Sequence, residues 1–475
     1  MLAQVIPMDR SSEVECKTEW RSRFLDFINA RLERMEDGSP MDSLGDITSA
    51  IRANRSEILG ELALGFVRKR FGHLLEQVFC DCPKCSKQLH VRAKHKRRVE
   101  SLIGGFDLER PYFYCTVCQH GFYPLDEAIG LAASAKQYDI QALEGWLGSE
   151  MPFETACEAY TRCTGNTLST HHLHDCANRI GESIGLLDVC PGKAEVDARI
   201  AGLAAGKHRR PVMMIGIDGA HAPTRAEPSP RKARRGKGEY KEVKGFRAYL
   251  IEGKKIIHLF SWHQLATDQE LAQALQAVKD GGLIPEDRVR LCVIGDGAPW
   301  IWNRVHEILP SAKEVLDFYH CAQYIHAVAD TQYEKGSRKA QEWVESTFVR
   351  LFHNDKRYVL SGLKRMKPTS AEAEKQISTT IQYLGRHSGR IDYGAARRGG
   401  YHIGSGAIES ANKFIAHVRL KRSGAWWYPS KANNILKLRC ARTNGTFDRV
   451  VKIYEKREAA RFVQNAQSSA SAQDK

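Results

Sequence analysis

The sequence has 475 residues, of which 42% are hydrophobic, and it carries a formal net charge of +15 with a pI near 9.2. This length predicts about two to four domains with ordinary globular cores. No apolar stretch approaches the roughly 18 residues that a membrane span needs, and the first residues lack the pattern of a secretory signal. We therefore expect neither a membrane-spanning nor a secreted protein, but a cytoplasmic one.

The basic excess predicts a polyanionic partner. Lysine and arginine number 71 against 56 acidic residues, and they cluster at 92–98, 231–247 and 417–422. A solvated basic face is the alternative interpretation of any single cluster. Three clusters in a chain of this net charge favour nucleic acid, and double-stranded DNA would place the protein on the nucleoid.

Residues 1–75 are predicted to be helical, because apolar residues such as Phe24, Phe27 and Ile28 recur at helical spacing. The pattern does not distinguish a scaffold from an oligomerisation arm.

Residues 76–130 carry two Cys-x-x-Cys pairs, "CPKC" and "CTVC". Two such turns bring four thiolates together, which suits tetrahedral Zn²⁺. We predict a zinc-ribbon-like domain with structural zinc, and the alternative is a chance pairing of reduced cysteines. The neighbouring Cys80 is expected to stay outside the site. The predicted ligands are Cys82, Cys85, Cys115 and Cys118.

Residues 131–195 read as three successive helices. The turn "CTGNTLS" before the third contains Gly165, and Ser169 or Thr170 can begin the helix. This cadence is typical of a helix-turn-helix DNA-binding domain. A small three-helix packing unit has the same pattern, and both interpretations stay open.

The segment 208–450 is predicted to be an α/β catalytic domain. A first apolar strand ends at Asp218, a hairpin turns near Gly253, and a fourth strand ends at Asp296. An aspartate followed by glycine is ordinarily a loop start. However, the order of three strands, helix, strand, helix, strand is that of an RNase H-like domain. Its first and fourth strands are adjacent, so Asp218 would lie beside Asp296.

A third carboxylate is expected from a later helix. In "GSGAIESANKFIAHVRLKRSGAWW", Glu409 falls near the start of a helix that Ser405 can cap. The alternative is a surface glutamate paired with Lys413 at i+4.

Together with the cysteine pairs, the stretches "GIDG", "IGDGAPWIW", "LDFYH" and "GSGAIESANKFIAHVRLKRSGAWW" resemble the DDE transposases of bacterial insertion sequences, in particular the ISKra group. The resemblance covers roughly residues 80–450. It implies a catalytic triad of Asp218, Asp296 and Glu409. "DFYH" resembles a D-x-x-H signature, so Asp317 and His320 are candidates for supporting that triad. The resemblance also implies a homo-oligomer assembled on DNA.

The chemistry can be argued without the resemblance. Phosphodiester cleavage and transfer need an activated nucleophile and a stabilised leaving oxygen, which two Mg²⁺ (or Mn²⁺) ions can supply. Hard cations prefer carboxylate oxygens, and Asp218 would bridge the two ions with Asp296 and Glu409 each favouring one. Two alternatives remain: an RNase H-like nuclease without strand transfer, and a non-catalytic DNA-binding regulator derived from a transposase.

Two further segments complete the prediction. About 80 residues separate "DFYH" from Glu409, too many for a simple loop, so we predict a helical insertion at about 325–400. Residues 451–475 read as a basic, then polar tail with a disordered end. Basic and aromatic residues around the triad are expected to hold phosphates or stack on unpaired bases, although paired tryptophans are more often core residues. The predicted DNA contacts are Arg231, Lys232, Arg234, Arg235, Lys413, Arg419, Lys421, Arg422 and Trp426.

Overall fold

The computed structural model of the protein describes residues 10–38, 41–227 and 237–468. The chain forms two compact units, one of residues 1–177 with 451–475 and one of residues 178–450. In the part of the chain described, no helix is both long enough and apolar enough to cross a membrane. The fold is mixed α/β, as predicted.

The first unit combines helices with short antiparallel strands. Its longest pieces are two N-terminal helices; the second begins with a capping box between Ser43 and Asp46 and packs closely on the turn at Gly104 and Gly105, where a side chain at Gly60 would collide with backbone. The elements are α1 (Arg10–Gly38), α2 (Leu44–Leu75), β1 (Phe79–Asp81), β2 (Gln88–His90), β3 (Ala93–Glu100), β4 (Gly105–Cys115), β5 (His120–Phe122), α3 (Pro124–Ala128), α4 (Tyr138–Glu150) and α5 (Phe153–Thr164).

The three helices predicted after residue 131 are present as α4, α5 and α6 (Thr170–Ser183). Gly165 ends α5 in the left-handed conformation, with φ of 77°. Ser169 Oγ accepts a hydrogen bond from the backbone N–H of His172 and so begins α6. The helix-turn-helix outline is thus reproduced locally, while DNA binding by it stays a prediction.

The second unit contains a five-stranded sheet with helices. After a 3₁₀ turn at Leu187–Val189, its elements are α7 (Lys193–Ala204), β6 (Val212–Arg225), β7 (Gly238–Glu252), β8 (Lys255–Leu265), α8 (Asp268–Asp280), β9 (Arg290–Gly295), α9 (Pro299–Ile308), β10 (Lys313–Leu316), α10 (Phe318–Gln332), α11 (Arg338–Phe352), α12 (Lys356–Arg365), α13 (Ala371–Arg386), α14 (Tyr393–Arg398), α15 (Gly406–Ala411), α16 (Val418–Leu420) and α17 (Pro429–Thr443). The last helix, α18 (Phe447–Ser468), begins in this unit, and its residues from Val451 belong to the first. One π-helical stretch, Asn412–His417, links α15 to α16.

The strand order in this sheet is β10-β9-β6-β7-β8. Strands β6, β7 and β8 are antiparallel, whereas β9 runs parallel to both β6 and β10. The hairpin turns at Gly253, whose φ is 59°, and Thr267 begins α8 through a capping box with Glu270. The first and fourth strands are neighbours, as the sequence predicted.

The predicted end of the first strand is wrong. Strand β6 does not stop at Asp218 but continues to Arg225, paired with β7 along its whole length. Gly219 is therefore not a turn residue. It lies within the strand and leaves room for the Glu242 carboxylate, which a Cβ at this position would approach to 2.0 Å. Residues 238–247 of the basic cluster belong to β7.

The predicted tail is also different. Residues from Phe447 to Ser468 form the helix α18, and within the first unit Tyr454 donates a hydrogen bond from its hydroxyl to Gln141 Oε1 at 2.7 Å. Tyr454 is buried. Packing of the helix face that carries Tyr454 therefore stabilises a helix that the polar composition of the segment did not predict. The predicted disordered end, residues 469–475, lies outside the described residues. The helical insertion takes the form of α10 to α14.

Two asparagines close the outer edge of the sheet. An edge strand leaves backbone groups unpaired, and β8 is such a strand. Asn433 bonds the N–H and C=O of Leu265, and Asn444 does the same for Ser261, at 2.8 and 3.0 Å. Asn444 Nδ2 also donates to Val189 O at 2.7 Å. Side-chain amides thus replace the missing neighbouring strand.

Replacing Asn444 by alanine should destabilise the second unit by about 3 kcal/mol, since it leaves buried backbone groups without partners. Urea unfolding followed by tryptophan fluorescence measures this change. The exposed Asn303 on α9 is the control, and its alanine variant should stay within about 0.5 kcal/mol of the parent. Equal stability of both variants would show that the edge of β8 does not need this amide.

Candidate functional site

Three aspartates lie beside one another on three adjacent strands of the sheet, Asp218 within β6 and the other two directly after β9 and β10. The last pair between β6 and β9 joins Ile217 to Gly295, so the next residue in each strand is a predicted catalytic aspartate, Asp218 or Asp296. Asp317 follows β10, and its N–H donates to Gly295 O at 2.8 Å. Because β6, β9 and β10 are parallel, the carboxyl ends of β9 and β10 lie level with Asp218, and the three aspartates meet at one edge of the shared part of the sheet.

Helix α15 brings Glu409 to this edge. Its Ile408 packs on Gly216 of β6, where an added Cβ would lie 2.9 Å from Ile408 Cβ. The predicted cap is not formed, because the Ser405 side chain makes no bond to the helix backbone. Ser405 Oγ instead donates to Glu409 Oε1 at 2.6 Å. In the described part of the chain no ion pair joins Glu409 to Lys413.

The carboxylates influence one another. Burial raises the pKa of Asp218 to about 6, and the negative charges of Asp296 and Glu409 act in the same direction, against a hydrogen bond from the Gly219 N–H. That bond, to Asp218 Oδ1, is 2.8 Å long. Asp296 Oδ1 accepts one from the N–H of Ala298 at 2.8 Å. The raised pKa means that the negative charge of Asp218 is disfavoured in these surroundings, and a bound cation would offset that charge.

Asp317 and His320 form a pair beside the triad. His320 Nδ1 lies 2.7 Å from Asp317 Oδ2, and the other carboxylate oxygen accepts the N–H of Ser405 at 2.8 Å. Burial alone would raise the pKa of Asp317, but these bonds hold it below its usual value. The bond to Asp317 raises the pKa of His320, and the charges of Asp296 and Asp218 add to this. The pair therefore favours the protonated form of His320 beside these carboxylates.

Two side chains at the site were missed by the sequence interpretation. Asn412 Nδ2 donates to Asp218 Oδ2 at 2.8 Å, and its spacing of three residues from Glu409 on a helix was the available signal. Tyr383, from α13, packs on Gly297, where an added Cβ would lie 2.4 Å from its ring. No sequence signal pointed to Tyr383. The inserted helices thus contact the loop that carries Asp296.

His263 of β8 lies behind Asp218. Gly245 of β7 pairs with both residues, and its missing side chain makes room for the imidazole, since a Cβ there would lie 2.3 Å from His263 Cδ2. Burial lowers the pKa of His263 to about 3, against a smaller opposing effect of the neighbouring Asn412. His263 is therefore neutral at neutral pH and adds no charge to the site.

The predicted DNA contacts fall into three groups. Lys413, Lys421, Arg422 and Trp426 are exposed, and Trp426 contacts Tyr240 edge to face at 5.9 Å. Arg419 is only 3% exposed and lies over the Trp427 ring at 4.8 Å. Arg419 therefore packs against its own chain, and we no longer expect it to contact phosphates. The remaining four, Arg231, Lys232, Arg234 and Arg235, lie outside the described residues.

A second site, in the first unit, is formed by the four cysteines. Across the described residues, Cys82, Cys85, Cys115 and Cys118 are the one group of three or more potential metal ligands whose ligand atoms all lie within 4.8 Å of one another. The Sγ–Sγ distances are 3.9 Å for Cys82 with Cys118 and 3.6 Å for Cys85 with Cys115. Zn–S bonds of about 2.3 Å place tetrahedral sulfurs about 3.8 Å apart, so this cluster could bind a metal ion.

The local backbone prepares this cluster. Each cysteine pair is followed by a residue of positive φ, Ser86 at 57° and Gln119 at 47°, which closes the turn. The N–H of Cys118 donates to Cys115 Sγ and lowers the pKa of that thiol to about 7. Cys80 lies outside the group, and burial raises the pKa of its thiol to about 11.

Comparisons with known proteins give one family. The model described as "Uncharacterised protein family (UPF0236)" matches residues 73–457. The "UPF0236 protein in vanSb 3'region" of Streptococcus gallolyticus is 25% identical over 349 residues, which are 70% of this chain and 69% of that protein. Among solved structures, a chain of the "Drosophila P element transposase strand transfer complex" aligns with a TM-score of 0.33 and 12% identity, covering 66% of this chain and 93% of that one. This last likeness is too low to carry an argument.

Proposed function

We propose a function for this chain, which belongs to the uncharacterised protein family UPF0236: it is a metal-dependent transposase of a bacterial insertion sequence, similar to the ISKra group. Its second unit is an RNase H-like DDE domain that cleaves DNA at the element ends and joins the freed 3′ ends to target DNA. Asp218, Asp296 and Glu409 are its catalytic carboxylates.

One observation carries this proposal. Asp218 lies in β6 just beyond its last pair with the parallel strand β9, Asp296 follows β9, and the charges of Asp296 and Glu409 both act on the partly buried Asp218 carboxyl. Asp218 and Asp296 are partly buried and Glu409 is exposed, and acids placed together cost free energy unless a cation offsets their charge. A structural role would favour apolar residues at such a sheet edge, whereas a binder of phosphates has no use for clustered acids.

The donor set fits Mg²⁺ or Mn²⁺. Carboxylate oxygens are the ligands that these hard cations prefer. The three acids do not all lie within 4.8 Å of one another, but two ions about 3.5 to 4 Å apart span a wider site than one ion does. When bound, such ions activate a nucleophilic oxygen and stabilise the leaving oxygen of a phosphodiester.

The chain's own residues orient this site. Ser405 holds Glu409 through one oxygen and Asp317 through its N–H, so one residue couples α15 to the end of β10. His320 is held by Asp317 and is 37% exposed at its side chain. It is placed to donate a proton or a hydrogen bond to a phosphate oxygen. Asp218 and Asp296 each accept a backbone N–H at one oxygen, and the second oxygen of Asp218 accepts the amide of Asn412.

DNA binding follows from charge and exposed rings. Lys413, Lys421 and Arg422 are exposed near the Glu409 helix, and the exposed Trp426 offers a ring for stacking on an unpaired base. The helix pair α5–α6 and the basic segment after Arg225 are further candidates. Joining two element ends requires at least two active sites, so a homo-oligomer on DNA is part of the proposal.

The cysteine cluster is proposed to hold one structural Zn²⁺. Four sulfurs leave no open position for substrate, so this ion would stabilise the fold around residues 79–122 and take no part in the reaction. The proposed arrangement is a helical N-terminal region, a zinc-ribbon-like domain, a helical DNA-binding domain and the catalytic domain, acting on the nucleoid in the cytoplasm.

The test is incubation of the full chain with labelled DNA carrying the flanking element's ends, with Mg²⁺ or Mn²⁺ and with Asp296→Ala as control. Cleavage and joining, both lost in the variant, are the expected result. Cleavage without joining would replace the proposal with the nuclease function. DNA binding without cleavage or joining, in Mg²⁺ and in Mn²⁺, would favour the non-catalytic DNA-binding regulator.

A further inference from the structure

We propose that Asn412 is a positioning residue that orients the Asp218 carboxylate for binding a divalent cation. This inference rests on the proposed function and deepens it, because it identifies how the helix that carries Glu409 fixes the orientation of Asp218. The sequence pattern did not single out Asn412, which is 194 residues from Asp218 in the chain.

The first step is the contact itself. Asn412 Nδ2 donates to Asp218 Oδ2 at 2.8 Å, while Asp218 Oδ1 is held by the Gly219 N–H at 2.8 Å. Each carboxylate oxygen therefore has one fixed donor. A carboxylate held at both oxygens cannot rotate about its terminal bond, so its remaining lone pairs point in set directions.

The second step is the position of Asn412 on its helix. It follows Glu409 by three residues, so the two side chains lie on one helical face. The π-helical stretch begins at Asn412, and such local widening of a helix is frequent at functional sites. One helix thus supplies both a proposed metal ligand, Glu409, and the donor that fixes another, Asp218.

The third step is the chemistry of the amide. A lysine or arginine could also hold Asp218, but its charge would cancel that of the carboxylate and repel a divalent cation. An amide donates a hydrogen bond without adding charge.

The fourth step separates this role from simple packing. Asn412 is 4% exposed, and its Oδ1 atom has no hydrogen-bond partner within the described residues. An unpartnered buried carbonyl is unfavourable, so a side chain of the same shape without polar atoms would suit the fold better. The hydrogen bond to Asp218 is the one that the amide nitrogen makes, and it orients a carboxylate of the proposed cation site.

The experiment measures Mn²⁺ binding to the zinc-loaded full chain without DNA, by electron paramagnetic resonance of free Mn²⁺. Asn412→Ala and the isosteric Asn412→Leu are compared with Asp218→Asn. The matched control is Asn434→Ala, which removes another amide that is 4% exposed in the same unit and that bonds Asn178 and Glu182 instead.

Both Asn412 variants should weaken Mn²⁺ binding by about tenfold, the lower end of effects seen for residues that orient metal ligands. Asn434→Ala should bind as the parent does, and raised Mn²⁺ should restore cleavage by the Asn412 variants. Parent-like Mn²⁺ binding in both Asn412 variants, with binding lost in Asp218→Asn, would overturn the inference and leave the proposed function intact. Unchanged Mn²⁺ binding in Asp218→Asn would overturn the proposed metal site, and the role of Asn412 with it.

Discussion

Replacing Asp218 by asparagine should reduce metal-dependent strand cleavage about a thousandfold or more, because it removes the bridging charge of a site whose chemistry depends on metal ions. The substitution is isosteric and keeps an oxygen that can accept from Asn412, so the fold should be retained. Asp296→Asn and Glu409→Gln should have effects of the same order. Cleavage of end-labelled DNA in Mg²⁺ measures all three.

DNA binding by the same variants distinguishes a loss of catalysis from a loss of structure. In the presence of EDTA, the three variants should bind element-end DNA within about twofold of the parent, or more tightly, since each loses a negative charge near phosphates. Asp280→Asn is the matched control, because Asp280 is an exposed acid on α8 of the same unit that contacts Gln276. Equal loss of binding and cleavage in the triad variants would indicate a structural role for these acids.

The order of elements could be predicted where local patterns decide them. Apolar β-branched runs predicted the strands, and Gly253 predicted the hairpin turn, where the structure has a φ of 59°. These signals act within a few residues, so they survive in any tertiary context. The pairing of β6 with β9, which brings Asp218 near Asp296, then followed from the element order.

The extension of β6 could not be predicted from the same signals. Gly219 and Pro223 are residues that ordinarily break a strand. Beyond Ile217, however, β6 no longer pairs with β9, so the missing N–H of Pro223 costs no ladder bond on that side. There, Pro223 O accepts the N–H of Trp427. The strand is stabilised by a segment about 200 residues away in sequence, which local periodicity does not record.

The same limit applies to the side chains that orient the site. Asn412 reaches Asp218, and Tyr383 packs on Gly297, through contacts between distant parts of the chain. Arg419 shows the opposite error, because its charge suggested a phosphate contact while its packing on Trp427 buries it. Residue type identified the carboxylates that carry charge, whereas the residues that position them depend on tertiary packing.

Replacing Cys115 by serine should release the metal of the cysteine cluster and unfold the region around residues 79–122. The apolar core there is small, with Leu89 and Phe113 buried beside the cysteines, and such cores rarely hold a fold without a metal or disulfide. Structural zinc supplies about 10 to 16 kcal/mol of apparent binding free energy in zinc-finger peptides. The binding free energy lost with one of the four ligands should therefore exceed the stability that the apolar core alone provides.

Metal content and local protection test this together. We expect one zinc per chain in the parent by elemental analysis and less than about a tenth of that in Cys115→Ser or Cys82→Ser, since a tetrahedral site lacking one thiolate binds far more weakly. Hydrogen exchange should rise in β1 to β5 of these variants, as it should when a chelator is added to the parent. Cys80→Ser is the control, because Cys80 is adjacent but lies outside the group. It should keep its zinc, whereas full zinc in Cys115→Ser would show that the cluster is four packed thiols and that the fold of this region rests on its apolar contacts.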